Sequence, residues 1–258
     1  MTVFSIIMTV LVITLVIMVL RYLFIDPYTL QDMKSAKLQS NISPSVLATN
    51  ELNVPSSNFA YSVWFYVNDW NYHYGQPKVI FGRMGSSSNA NNSSIRGISG
   101  RDPCPVVFLG NVENNVTIGL SCFPGVNEQP STRGGNTVLH TCQINNVPIQ
   151  KWVNLVISVY GRTLDVYLDG KLVKTCLLPG VAKVNKDADV YVTPQGGFDG
   201  WTAKLQYYPN SLNPQEVWDI YSKGYSNYTF SKWFNIYNPY QVQITLLENG
   251  TTSGSLTI

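Results

Sequence analysis

Two hydrophobic patterns divide the chain. Residues 3–20, VFSIIMTVLVITLVIMVL, form an apolar run without a charge, and YLFI after Arg21 extends it to Ile25. About 20 apolar residues are enough to cross a bilayer as one helix. From residue 58 onward, short apolar segments instead alternate with turn residues. The pattern therefore predicts an N-terminal membrane anchor followed by a β-rich domain.

The anchor prediction covers residues 1–25 and has one alternative, a cleaved signal peptide. Such a peptide has a basic start, a shorter apolar core and small residues at its cleavage site. No Lys or Arg precedes this run, and Arg21 and bulky residues follow it. We therefore predict an uncleaved transmembrane α-helix. The side chains expected to form the anchor are Val3, Ile6, Leu11, Ile13, Leu15, Val19, Leu20 and Phe24.

Two signals disagree about which side of the membrane holds the bulk of the chain. Cations follow the apolar run at Arg21, Lys34 and Lys37 and none precedes it, which favours the cytosolic side. Asn-x-Ser/Thr sequons suit a lumenal side instead. Six of them begin at Asn41, Asn91, Asn92, Asn115, Asn227 and Asn249. Because the chain is rich in Asn, Ser and Thr, chance matches are expected, and we favour the cytosolic orientation.

Residues 26–57 are predicted to be a spacer. They are polar, contain three prolines and hold few aromatic residues, a composition typical of a connecting segment. The spacer is expected to hold the following domain away from the membrane.

Residues 58–225 have the pattern of a β-sandwich. FAYSVWFYV, residues 59–67, alternates two partly apolar faces, as a strand inside a sandwich does. Gly161-Arg162 and Asp169-Gly170 stand between further apolar runs as hairpin turns. About ten strands without intervening helices predict antiparallel sheets. One late helix is expected from Asn213 as N-cap, Glu216 at the third helical position and Gly224 after the end.

The tail, residues 226–258, is aromatic at first and then alternates Val242, Ile244 and Leu246 with polar residues. A lone strand is not stable by itself, so this one must pair with the domain or with another protein. We favour contact with a partner or a neighbouring subunit. The residues expected to make it are Trp233, Phe234, Tyr237, Tyr240, Val242 and Ile244.

Residues 152–173, WVNLVISVYGRTLDVYLDGKLV, resemble the central hairpin of the concanavalin A-like, laminin-G-type sandwich. Residues 59–83 resemble the first strand pair of that family, and residues 197–224 its closing strand and helix. The resemblance implies an all-β fold: an antiparallel concanavalin A-like (laminin-G) jelly-roll sandwich with one short helix, preceded here by the transmembrane helix.

The N-terminal span together with VNDWNY, residues 67–72, and LPGV, residues 178–181, is similar to membrane-anchored proteins of large nucleocytoplasmic DNA viruses of the chlorovirus-like type. The similarity implies a minor capsid protein at the interface between the virion inner membrane and the capsid. Its partners would be the lipid bilayer and capsid or other virion membrane proteins. The alternative is a membrane-anchored, lectin-like module, for which Trp70 and Tyr72 are the candidate glycan-stacking residues. We favour it less, because aromatic residues on sandwich strands usually fill the core.

Composition narrows the function further. Charged residues make up 12% of the chain and the net charge is +2, which argues against nucleic-acid binding through a basic face. Low charge suits the cores of permanent assembly contacts.

No catalytic pattern stands out. Glycosidases of the resembled fold present paired carboxylates, and their E-x-D-x-x-E arrangement is absent from the sequence. Two His and four scattered Cys do not suggest a metal site. We therefore predict no enzyme activity, no cofactor and no metal. Cys104, Cys122, Cys142 and Cys176 allow three disulfide pairings between which the sequence cannot choose, and in the cytosol reduced thiols are the default.

Overall fold

A computed structural model of the protein describes residues 8–9, 11–16, 26–48, 57–84, 102–125, 137–185 and 187–226, and the backbone alone of residues 243–248 and 251–257. The chain forms two compact units, Met1–Tyr225 and Ser226–Ile258.

The strands of the first unit are β1 (Thr29–Gln31), β2 (Lys34–Ser35), β3 (Ser40–Ile42), β4 (Phe59–Asp69), β5 (Lys78–Met84), β6 (Val106–Leu109), β7 (Val116–Cys122), β8 (Val138–Ile144), β9 (Trp152–Tyr160), β10 (Thr163–Leu168), β11 (Lys171–Leu177), β12 (Asp189–Val192) and β13 (Asp199–Tyr208). Its described helices after residue 25 are α1 (Pro44–Ala48), α2 (Pro214–Lys223) and a 3-10 turn at Pro194–Gly196.

These strands form two antiparallel sheets. Sheet A has the order β1-β13-β4-β9-β10-β11, with β2 also paired to β13, and sheet B has the order β3-β12-β5-β6-β7-β8. The all-β antiparallel sandwich with a short late helix is thus confirmed. Both predicted turns, at Gly161-Arg162 and Asp169-Gly170, join the strands expected of them.

Strand β4 shows how the sequence pattern becomes the core. Phe59, Tyr61 and Phe65 point between the sheets and are at most 2% exposed. Trp64, on the opposite face, packs with Trp152 and Ala203 on the outer surface of sheet A. Alternating side chains of a strand point to opposite faces, so a strand buried on both faces is apolar on both.

Helix α2 covers part of this outer surface. Asn213 accepts a hydrogen bond from the Glu216 backbone N–H, and the Glu216 side chain accepts one from the Asn213 N–H, which completes the predicted capping box. Val217 and Ile220 are buried against the sheet. Lys204, on β13, donates to the Gly224 carbonyl at the C-terminal end of the helix, where a cation is favoured.

Residues 26–48, the described part of the expected spacer, belong to the sandwich instead of connecting to it. Here β1 and β2 pair with β13 of sheet A, and β3 pairs with β12 of sheet B. Ala36 and Leu47 are fully buried. These strands have two or three residues each, too few for a period-2 pattern to show. The sandwich therefore begins directly after the N-terminal apolar segment.

The N-terminal apolar segment is described only in part. Residues 8–9 and 11–16 are helical, and Leu11, Ile13 and Leu15 are 52–57% exposed. Within the described stretches, none of the helices has the length and hydropathy needed to cross a membrane. The other expected anchor residues, Val3, Ile6, Val19, Leu20 and Phe24, lie outside the described residues.

The tail forms a hairpin of β14 (Gln243–Glu248) and β15 (Thr251–Thr257), in which Ile244 pairs with Leu256. The expectation was a single strand that pairs with the domain or, as favoured, with another protein, whereas this strand pairs within the tail. The missed signal is Asn249-Gly250, a preferred hairpin dipeptide. The predicted contact residues Trp233, Phe234, Tyr237, Tyr240 and Val242 lie outside the described residues.

Strand directions define two ends of the sandwich. We call one end the entry end, because the chain enters the sandwich there at Asp26. Strand β13 ends there at Tyr208, and the β9–β10 turn and the last residue of β11 lie beside it. The far end holds the end of β4, the start of β5 and the start of β13. β4 has 11 residues, so the two ends are about 35 Å apart at about 3.3 Å per residue.

Candidate functional site

The loops at the far end form one hydrogen-bonded surface. The Gly75 N–H donates to the Asn111 carbonyl, which joins the loop after β4 to the loop after β6. The Asn114 side chain donates to the Val147 carbonyl at 3.1 Å, which adds the loop after β8. Antiparallel pairing brings these separate connections to the same end, and their mutual hydrogen bonds order them before any ligand arrives.

Trp70, one of the two predicted glycan-stacking residues, is fixed within this surface. Its indole N–H donates to the Val112 carbonyl at 2.9 Å, and the Lys78 ammonium lies 4.3 Å from its ring centroid. Lys78 is 1% exposed and donates to the Gly110 carbonyl, and its burial lowers the pKa of the amine. A cation over an indole face is a stabilising contact. One face of Trp70 is therefore already occupied by this chain.

Tyr72, the other predicted stacking residue, lies in a polar cluster. Its ring centroid is 3.9 Å from that of His73, and the Lys37 ammonium lies 4.9 Å from it. Lys37 also forms an ion pair with Asp199, with 2.9 Å between Nζ and Oδ1. The Asn68 amide donates to the second Asp199 oxygen at 3.2 Å. The structure thus brings Trp70 and Tyr72 to the same end and supplies Tyr72 with charged neighbours.

The charge state of the cluster follows from these contacts. Burial by itself would raise the pKa of Asp199, but the hydrogen bonds from Lys37 and Asn68 and the charge of Lys37 outweigh it and hold that pKa below its usual value. The hydrogen bond to Asp199 raises the pKa of Lys37. Asp199 and Lys37 are therefore both charged at neutral pH.

Exposed apolar side chains also lie on the far-end loops, although no sequence pattern marks them. Tyr74 is 58% exposed, Val112 50% and Ile149 46%, and each lies on a different loop of the far end. Single exposed apolar residues carry no signal in a sequence. They become a common surface only because the sheets bring the three loops together.

Asp165 and Asp169, four residues apart in the chain, are both used within the fold. Asp165 accepts a hydrogen bond from the Thr175 hydroxyl at 2.6 Å. Asp169 accepts one from the Asn154 backbone N–H at 2.9 Å and forms an ion pair with Lys151. Among the described residues, no group of three His, Cys, Asp or Glu side chains is arranged to hold a metal ion.

The sequence left three cysteine pairings open, and the structure shows one disulfide bond. Cys142 on β8 is joined to Cys176 on β11, while Cys104 and Cys122 are buried and lie outside this disulfide. Burial raises the pKa of the Cys104 thiol, which keeps it protonated and unreactive at neutral pH.

Comparison with known proteins supports the fold. No protein-family model and no curated protein match the chain. Among solved structures, the receptor-binding domain of botulinum neurotoxin D superposes with a TM-score of 0.50 at 13% identity, over 75% of this chain and 44% of that domain. The binding domain of botulinum neurotoxin DC, solved with rat synaptotagmin II, gives 0.48 at 10% identity, over 72% and 40%.

The chain therefore spans less than half the length of these binding domains. At such low identity the likeness concerns the fold alone, a β-sandwich of the jelly-roll type. It lends no support to the virion and capsid role that the sequence resemblance implies.

Proposed function

We propose that the protein is a membrane-tethered, non-catalytic binding module whose far-end surface contacts the partner. The observation that supports this most directly is the arrangement of the two ends. The N-terminal apolar segment leads into the sandwich at Asp26, whereas Tyr74, Val112 and Ile149 are exposed at the opposite end. A tether at one end leaves the other about 35 Å away and accessible.

The chemistry of the far end suits binding better than catalysis. Its carboxylates already have partners within the fold: Asp199 is paired with Lys37 and Asn68, Asp69 accepts from the Asn71 backbone N–H, and Glu113 accepts from the Asn115 side chain. Exposed apolar and aromatic side chains on ordered loops are the groups that dominate binding energy when a partner buries them. The loops need little further ordering on contact, which lowers the entropy cost of binding.

The more specific role that we propose is attachment of a capsid to the membrane beneath it, as a minor capsid protein. Support comes from the resemblance of residues 67–72 and 178–181 to membrane-anchored proteins of large DNA viruses. The exposed apolar side chains of Tyr74, Val112 and Ile149 are also groups that a lasting protein contact would bury.

The proposed location is the interface between virion membrane and capsid, with the sandwich on the cytosolic side. The Cys142–Cys176 disulfide requires an oxidising environment. If the sandwich lies on the cytosolic side, the disulfide is expected to form only in the assembled particle, once that particle is no longer in the reducing cytosol.

The lectin-like alternative has one observation in its favour. The Tyr72 ring lies beside Lys37, Asp199 and Asn68, and an aromatic face beside polar groups is able to bind a sugar. Tyr72→Ala is the informative variant, because Trp70→Ala also removes the packing under Lys78. Glycan binding on an array that Tyr72→Ala abolishes would favour this alternative.

The main test compares full-length variants for retention in purified particles. Tyr74→Ser combined with Ile149→Ser is expected to reduce retention at least about tenfold, since two buried anchors of about 1 kcal/mol each suffice for that. Leu139→Ser is the control, because Leu139 is 44% exposed on β8, away from the far-end loops. Retention of the double variant at the level of the control would overturn the proposal.

A further inference from the structure

The entry end carries its own exposed side chains. Tyr160 and Leu177 are 68% and 71% exposed. Both pair with Thr163, one from each neighbouring strand, so they lie in one row across the edge of sheet A. Phe123 and Val181, joined by a backbone hydrogen bond, are 47% and 39% exposed at the same end of sheet B. Apolar groups are thus presented by the ends of both sheets.

A cation accompanies this row. Arg162 lies in the β9–β10 turn directly before Thr163 and is exposed. Its Nε–H donates to the Leu178 carbonyl at 3.1 Å, which leaves the terminal N–H groups of the guanidinium able to meet an anion. Guanidinium groups pair readily with phosphate oxygens. Tyrosine and arginine beside apolar side chains are typical of residues at a membrane interface.

The position at which the chain enters the sandwich indicates that the entry end faces the membrane. The apolar segment ends at Ile25 and β1 begins at Thr29, so the three residues between them span at most about 10 Å. This connection is held in place. The Gln206 amide donates to Asp26 at 2.7 Å, and the Tyr28 ring stacks on Tyr208 with 4.6 Å between centroids. A bilayer that holds the apolar segment therefore lies directly beside the entry end.

We propose that the entry end rests on the bilayer, with Tyr160, Leu177 and Val181 in the interfacial region and Arg162 against lipid phosphates. The inference rests on the proposed membrane tether and adds a fixed orientation to it. Burial raises the pKa of Tyr208, so this phenol stays neutral beside the membrane surface. The sandwich then stands upright on the lipid, and its far end points away.

The test uses full-length protein in vesicles of phosphatidylcholine with a minor fraction of phosphatidylserine. Tyr160→Cys and Val181→Cys are each labelled with an environment-sensitive nitrobenzoxadiazole dye, without reductant. Tyr74→Cys at the far end is the control, since Tyr74 and Tyr160 have comparable exposure. The native cysteines do not compete, because two form the disulfide and two are buried.

Spin-labelled lipid is expected to quench the dye at positions 160 and 181 by about half, because interfacial side chains reach about 5–10 Å into the headgroup region. It should leave the dye at position 74 unchanged. If the protein floats with the vesicles but all three dyes behave alike, the orientation is overturned and the tether stands. If the protein does not float with them, the tether fails and the orientation with it.

Discussion

Cys142 and Cys176 join the two sheets of the sandwich at their open edges. Cys142 lies on β8, the last strand of sheet B, and Cys176 on β11, the last strand of sheet A. The Lys174 side chain adds a hydrogen bond to the Gln143 carbonyl at 2.9 Å between the same two strands. Edge strands have one side without backbone hydrogen-bond partners. The disulfide therefore stabilises the strand of each sheet that has the fewest such partners.

Reduction of this disulfide is expected to destabilise the sandwich without unfolding its core. The two cysteines are 34 residues apart, and a loop of that size corresponds to about 2–4 kcal/mol of stability. For a domain of this size the melting temperature should fall by about 5–15 °C on addition of dithiothreitol. The double variant Cys142→Ser, Cys176→Ser should melt at the lower temperature and show no response to the reductant. An equal response in that variant would show that another bond is responsible.

Replacement of Gly170 by Ala should cost more than the same change at Gly161. Both glycines lie in hairpin turns with positive φ, +75° and +56°, where alanine costs about 1–2 kcal/mol. A Cβ on Gly170 would also lie 2.9 Å from Trp218 and 3.1 Å from Tyr221 of α2, whereas nothing lies within 4 Å at Gly161. We expect an additional loss of about 1–2 kcal/mol for Gly170→Ala, measured as the difference between the two unfolding curves.

Asp199 should contribute stability that disappears in acid. Its native pKa lies below its usual value, so the contribution is fully present above pH of about 4, the usual pKa of aspartate, and is lost as the pH falls through the native pKa. The melting temperature of Asp199→Asn should therefore lie below that of the native protein at pH 7, and the gap should close in acid. Lys37→Met should lose much of the same pH-dependent contribution, because Lys37 is the charged partner. A gap that persists in strong acid would contradict this account.

Deletion of residues 227–258 should leave the sandwich folded with a cooperative melting transition, because both of its sheets and its core are built from the first unit. Retention in particles should be lost if the aromatic residues between Trp233 and Tyr240 bind a partner, as predicted. Ile244→Asn gives a milder test, since Ile244 lies in a strand of the tail hairpin, opposite Leu256 in the register. Unchanged retention of the truncated protein would remove the tail from the binding account.

Local signals in the sequence were enough for much of the fold. The alternation in β4 predicts a strand buried on both faces, and the Gly161-Arg162 and Asp169-Gly170 dipeptides predict the two hairpins. Asn213 and Glu216 predict the start of α2. In each case the physical cause lies within a few residues: the side-chain period of a strand, the backbone freedom of glycine, or an unsatisfied helix N–H.

The remaining features depend on contacts between residues that are distant in the chain. β1 to β3 are too short to show a period and exist because β13 and β12 offer open edges to them. The pairing of Cys142 with Cys176 follows from which strands finish at the edges of the sheets. The sequence by itself therefore determined the buried strand β4, the hairpins at Gly161-Arg162 and Asp169-Gly170 and the start of α2, because their causes are local. Only the tertiary structure decided that Lys37 meets Asp199 at one end and that the chain enters at the other, because strand order and register place them there.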